Sequence, residues 1–182
     1  MLRFLSRPQS EFTERTLVVS VPPSHRSEVL NRCRGVSTFD ALSRLLGEAR
    51  RSVDIFSPYV DPTFTHLLYS VPATVPVRVV TTAREGRTPG PNPVLERCTM
   101  ERNLQVRYLL QRRHKAQMFQ MHAKLVCADA RSAYVGSANL TDTSLHYNLE
   151  LGLLTAHEGE IKTLETLFNY VWENLGVPAR RL

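Results

Sequence analysis

The segment MHAKLVCADARSAYVGSAN, Met121 to Asn139, constrains the fold more than any other part of the chain. It alternates like two short strands joined by a tight turn. Yet where the alternation calls for apolar residues it carries His122, Lys124, Ser137 and Asn139. Side chains on a strand alternate faces, so His122 and Lys124 share one face, as do Ser137 and Asn139. A two-residue turn at Ala130–Arg131, with Asp129 opposite Ser132, sets Lys124 against Ser137 and His122 against Asn139. Cross-strand partners have Cβ atoms about 4.5–5.5 Å apart, which makes one cluster of the four polar groups. One residue more or less in the loop shifts that register. The other face, with Ala123, Leu125 and Cys127, is apolar and is expected to pack against helices. Gly136 leaves space for something to approach the backbone closely. A half-buried lysine and histidine cost free energy unless partnered, and a phosphate suits lysine, hydroxyl, amide and imidazole donors together. A satisfied polar cluster on an exposed sheet face is the alternative.

The flanking sequence supplies further elements. TLVVSVPP (Thr16–Pro23) reads as a strand stopped by two prolines. TFDALSRLLGEARRS places Phe39, Leu42, Leu45, Leu46 and Ala49 on one helical stripe, with Ser37 or Thr38 as N-cap. SVDIFSPYV and VPVRVVTTA read as strands, with PTFTHLLYSV between them as a helix that has proline in its first turn. REGRTPGPNP is dense in glycine and proline and reads as a loop. NPVLERCTMERN is helical in pattern, and LQVRYLLQ and LELGLLTA are strands. EGEIKTLETLFNYVWENLG closes as an amphipathic helix expected to bury Ile161, Leu164, Leu167, Phe168, Val171 and Leu175, with Gly176 and Pro178 as stop signals. Strands alternating with helices predict an α/β fold, a mixed β-sheet with helices packed on both faces. No boundary divides the chain, so residues 1–182 read as one domain, with 1–15 as a loose arm.

The formal charge of +6 comes from twenty arginines and three lysines against 17 acidic residues. Arginine grips phosphate oxygens in pairs, so the excess favours phosphate partners. No apolar run reaches the roughly 18 residues of a membrane span, and the N-terminus lacks the apolar core of a signal peptide. A cytoplasmic location without membrane insertion is expected. Cys33, Cys98 and Cys127 have no metal-ligand spacing and read as reduced thiols, Cys127 as a packing residue.

His122-x-Lys124, Asp129 after four residues, and Gly136-Ser137-x-Asn139 after six more resemble the HKD signature of the phospholipase D superfamily. Asn148-x-Glu150 downstream and ALSRLLGEARRSVDIFSPYV upstream are similar to that family too, so the resemblance spans Phe39 to Trp172. It implies the family's αβα sandwich and metal-independent phosphodiester cleavage with no cofactor. Only one motif is present, where many members carry two, which implies a homodimer joined through the motif-bearing face. In that picture the two copies of His122 are nucleophile and general acid in turn, through a phosphohistidine. Lys124 and Asn139 hold the phosphoryl oxygens, with Ser137 supporting. Glu150 is the candidate to bond the far nitrogen of His122. Asp129, at the turn, is expected to brace the hairpin backbone rather than touch substrate.

The substrate is less constrained, because the superfamily includes nucleases, phospholipases, phospholipid synthases and inactive scaffolds. VRYLLQRRHKAQMFQMH sets Arg107, Arg112, Arg113, His114 and Lys115 beside Tyr108 and Phe119, a composition suited to tracking a nucleic-acid backbone and stacking a base. Arg84 and Arg87 are candidates for the same groove. An endonuclease acting on DNA or RNA is the leading reading. A phospholipid hydrolase or phosphatidyltransferase, and a catalytically silent nucleic-acid-binding module, are the alternatives. GSANLTDTSLHYNLELGLL is also similar to phospholipase-D-like proteins encoded with anti-phage systems such as DISARM, which implies a helicase or other defence subunit as partner.

Overall fold

The computed structural model describes residues 15–83, 91–110, 112–114 and 117–179. Its centre is a mixed sheet of nine strands among these residues. In chain order the strands are β1 (Arg15–Ser20), β2 (Val36–Ser37), β3 (Val53–Phe56), β4 (Val77–Thr82), β5 (Leu104–Leu109), β8 (Leu125–Ala128), β9 (Ser132–Gly136), β10 (Glu150–Thr155) and β11 (Val177–Pro178). Across the sheet they lie in the order β11-β5-β4-β3-β8-β9-β10-β1-β2. Strands β3, β4 and β5 are parallel, whereas β8, β9, β10 and β1 alternate in direction. β6 (Arg112–His114) and β7 (Gln117–Phe119) form a separate hairpin between β5 and β8.

Helices cover both faces, as the sequence pattern predicts. α2 (Thr38–Gly47), α3 (Pro62–Ser70), α4 (Pro93–Glu101) and the short α5 (Asp142–His146) follow one another in the chain. Leu42, Leu46, Phe64, Leu68 and Leu95 from this group share a core with Ile55, Val79, Val126, Tyr134 and Leu154 of the sheet. α6 (Glu158–Asn174) covers the opposite face, packing Ile161, Phe168 and Trp172 onto Phe56, Val80, Leu125 and Cys127. Losing the Phe168 ring should cost about 3–5 kcal/mol. Arg78 fastens this layer. It donates to both carboxylate oxygens of Asp54 at 2.7 Å and to Asn169 of α6 at 3.0 Å, with its guanidinium 4.9 Å from the Phe168 ring centroid.

Several expectations need correction. Leu167 and Leu175 are exposed, and Trp172 takes the buried position instead. α2 stops at Gly47 rather than running to Ser52, because residues 50–52 turn to meet Asp129. Ser37 is its N-cap but makes no side-chain capping bond. Arg15, assigned by its sequence to the arm, opens β1 opposite Thr155. Helix α1 (Pro23–Cys33) buries no residue, so it carries no apolar stripe that could announce it. Gly176 does end α6, but Val177 then pairs with Tyr108 as an edge strand. Among the cysteines, Cys98 and Cys127 are buried, Cys33 is exposed, and burial pushes the Cys127 thiol up to about 12.

Candidate active site

The carboxyl ends of β3 and β4, the start of β8, the end of β9 and the start of β10 all meet at one edge of the sheet. Carboxyl ends of parallel strands are where open α/β sheets gather ligands. The motif residues lie along this edge, but not in the expected register. Ala128, not Asp129, pairs with Ser132, and Gly136 donates its N–H to the Lys124 carbonyl at 3.4 Å. The connection is therefore three residues long, and Lys124 stands opposite Gly136 rather than Ser137. Ala123 is exposed instead of packing beneath a helix.

A one-residue slip ought to send Ser137 and Asn139 to the other face. The ladder breaks before that happens, since β9 ends at Gly136. Ser137 still donates its backbone N–H to Leu151 O at 2.9 Å. The return bond from Leu151 N goes to the Ser137 hydroxyl at 3.1 Å. The same hydroxyl donates to Glu150 Oε2, and Asn148 Nδ2 donates to Glu150 Oε1 at 3.3 Å. Ser137 thus ends a strand and holds a carboxylate at once.

Lys124 is 5% exposed. Its Nζ donates to the His122 carbonyl at 2.8 Å and lies 3.1 Å from His122 Nδ1. Burial lowers the Lys124 pKa and the Glu150 charge raises it, so Glu150 links the lysine electrostatically to Ser137. The sequence reading joined Glu150 to His122; here Glu150 is engaged by Ser137 and Asn148, and the near neighbour of His122 is Lys124. Asn139 carries a buried Oδ1 without a hydrogen-bond partner among the described residues. His122 as a residue is exposed.

Asp129 sits at the far end of the hairpin, away from this cluster. Its carboxylate accepts the backbone N–H groups of Arg50, Arg51 and Ser52 at 2.9, 2.6 and 3.1 Å. Asp129 and Ala130 both hold left-handed backbone angles, φ 59° and 52°. Two residues that sequence reasoning passed over also shape the edge. Ser57, fully buried after β3, accepts the Leu140 N–H at 3.1 Å and donates to Tyr59 O at 2.7 Å. Tyr134 lies against Gly136 and Gly152, and the pairing of those glycines around an aromatic is its sequence signal.

The candidate binding residues fare differently. Arg107 is engaged elsewhere: its guanidinium stacks 4.7 Å from the Trp172 ring centroid and donates to the Trp172 carbonyl. Tyr108 is 1% exposed and accepts the Asn92 N–H, so it cannot stack a base. Arg112 and Arg113 belong to the β6–β7 hairpin, whose ends connect to β5 and β8 at the site edge. The side chains of Arg112 and Arg113, and residues Arg84, Arg87 and Lys115, lie outside the described residues. Among the described residues no group of three or more His, Cys, Asp or Glu is gathered as a metal ion would require.

A family model described as cardiolipin synthase, PLD-like domain, matches residues 42–172. The chain belongs to the phospholipase D superfamily, and its fold agrees with that. No curated protein sequence matches. Among solved structures, NucT from Helicobacter pylori is similar at 19% identity, covering 91% of this chain and 99% of that one, with a TM-score of 0.68. Nuc from Salmonella typhimurium, a phospholipase D family member, is similar at 17% identity over 91% and 98%, with a TM-score of 0.61. A phosphatidylserine synthase from Haemophilus influenzae Rd KW20 is similar at 14% identity over 90% of this chain and 39% of its own, with a TM-score of 0.59. At these identities the likeness is one of fold. With the family match, it assigns the chain to phosphodiester chemistry.

Proposed function

We propose that this protein is a metal-independent endonuclease of the cytosol, acting on DNA or RNA through a phosphohistidine in a homodimeric active site. The observation that carries this reading is the His122–Lys124 pair at the carboxyl edge of the sheet, with Nζ 3.1 Å from Nδ1. A largely buried ammonium supplies positive charge where phosphoryl oxygens would gather. The imidazole beside it supplies the nucleophile in one copy and the proton donor in the other. The compact nuclease-like architecture and the net charge of +6 favour a polyanionic substrate over a lipid surface. In addition, no helix among the described residues is long and apolar enough to cross a membrane. The resemblance to defence-associated members adds a helicase-type partner to this proposal.

A homodimer is supported by an uncovered stretch of sheet. Next to α6, Val135, Leu151 and Leu153 stay 41–55% exposed on the outward face of β9 and β10, and Leu149, just before Glu150, is 72% exposed. The Glu160 side of α6, which meets Thr155 and Arg15, also carries Leu164 and Leu167 at helical spacing. An apolar strip of this kind marks an interaction site, and it runs up to Glu150, so a second copy seated there would bring its own site close.

The test is cleavage of single- and double-stranded DNA and RNA in excess EDTA, with Leu151→Asp as the dimer variant. We expect cleavage to persist with chelator, and Leu151→Asp to sediment as a folded monomer with cleavage lost. Cleavage abolished by EDTA would refute the metal-independent reading, and a fully active monomer would refute the shared site.

A further inference from the structure

Tyr134 is 1% exposed and lies two residues before Gly136 on the face of β9 that packs toward α2. Its ring occupies space that two glycines leave open. A Cβ added at Gly136 would come within 2.6 Å of Tyr134 Cζ and 2.7 Å of Leu151 O. One added at Gly152, the register partner of Gly136, would come within 2.9 Å of the same Cζ. Neither glycine has a positive φ, so room for the ring, not backbone freedom, is what each position requires. The close approach that the sequence suggests at Gly136 is therefore made by the protein's own tyrosine.

The ring also delivers a hydroxyl. Tyr134 Oη accepts the backbone N–H of Ala138 at 3.3 Å. Ala138 is 1% exposed, so this amide would otherwise be buried without a partner. It lies just past the point where β9 leaves the ladder, between Ser137 and Asn139. Two side chains thus hold the departing strand: the Ser137 hydroxyl, which takes the Leu151 N–H, and the Tyr134 hydroxyl, which takes the Ala138 N–H. Burial pushes the phenol up to about 12, with the Glu150 charge acting in the same direction, so the hydroxyl stays neutral across the working range.

Resting on the phosphodiesterase reading above, we propose that Tyr134 is a positioning residue whose hydroxyl fixes the Ser137–Asn139 segment and so aims the Asn139 amide and the Ser137–Glu150 pair at the scissile phosphate. It touches no substrate itself. It acts through the backbone of Ala138, and Gly136 and Gly152 are there to admit its ring. A tyrosine that merely filled the core would contribute to stability and leave the chemical step alone.

Tyr134→Phe separates the two roles, since the ring and its glycine seat remain and only the hydroxyl goes. With bis(p-nitrophenyl) phosphate as substrate for the full chain, we expect kcat to fall about tenfold while KM stays within about twofold. Amide exchange should quicken about tenfold at Ala138 and stay unchanged at Leu153 and Leu154. Gly152→Ala, which crowds the ring from the neighbouring strand, should lower kcat in the same sense. Unchanged kcat with faster Ala138 exchange would overturn the proposal. So would a general rise in exchange with lower melting temperature and kcat intact, the signature of packing alone. If the wild-type chain turns over no phosphodiester, the function reading fails and tungstate affinity decides the positioning role. About fivefold weaker tungstate binding by Tyr134→Phe would support it, and equal affinity, or no binding by the wild type, would refute it.

Discussion

The two ends of the β8–β9 hairpin carry residues of one sequence signature and are built in opposite ways. At the turn, the Asp129 carboxylate accepts three backbone N–H groups, and its own amide donates to Ser52 O at 2.8 Å. At the other end, the regular ladder stops, the only hydrogen bonds described for Lys124 Nζ go to His122, and Asn139 Oδ1 has no partner among the described residues. Folding has satisfied one end and left the other unsaturated. A buried ammonium whose described hydrogen bonds go only to neutral acceptors is costly, and an arriving anion would offset that cost at Lys124. The difference teaches that position along the motif does not assign a role; the state of hydrogen bonding does.

That contrast is open to direct attack. The largest effect belongs to His122→Ala. Removing the proposed nucleophile should lower kcat by about 10³-fold or more, with the melting temperature within about 1 °C because His122 is exposed. Single-turnover kinetics beside thermal denaturation would check both halves, and a variant that still cleaves would erase the catalytic assignment of this end. Asp129→Ala should do the reverse. Releasing three backbone amides should cost about 2 kcal/mol, a fall of about 5 °C in melting temperature, with kcat of the folded enzyme within about twofold. A large kcat loss at unchanged stability would merge the two ends into one functional unit.

The smallest effect concerns protonation of Lys124. Burial holds its pKa below the ordinary 10.5, and the Glu150 carboxylate works against that. Activity that needs the ammonium should therefore decline on the alkaline side earlier than an ordinary lysine would dictate. Glu150→Gln removes the opposing charge and should move that limb further toward neutral pH, read from kcat against pH. The sign for stability follows from the same shift. Between its lowered folded value and 10.5 the folded chain binds fewer protons than the unfolded one, so Lys124 adds stability as pH rises through that window. An alkaline limb that stays put in Glu150→Gln would cut Glu150 out of the electrostatics.

Much of this was legible in the residues. The stripe of Leu42, Leu45 and Leu46, the strand VDIF and the proline in the first turn of α3 announce their elements because local patterning and burial agree there. The spacing His122-x-Lys124 to Gly136-Ser137-x-Asn139 announces the site. What stayed hidden is non-local. Asp129 and Ala130 take left-handed angles because residues 50–52 arrive to bind the carboxylate, and no pattern within the hairpin encodes their arrival. Arg107 looks like a phosphate ligand in sequence and is claimed by Trp172, 65 residues downstream.

By itself, then, the chain's sequence determined the polar motif from His122 to Asn139, the family it resembles and the mixed sheet that carries it, since these follow from residue type, spacing and periodicity over short stretches. Only the tertiary structure decided the register of the hairpin, the partner of Glu150 and the face left bare beside α6. Each of those depends on which distant backbone or ring comes to occupy a given hydrogen bond or a given space, and such competition is resolved by packing the whole molecule at once.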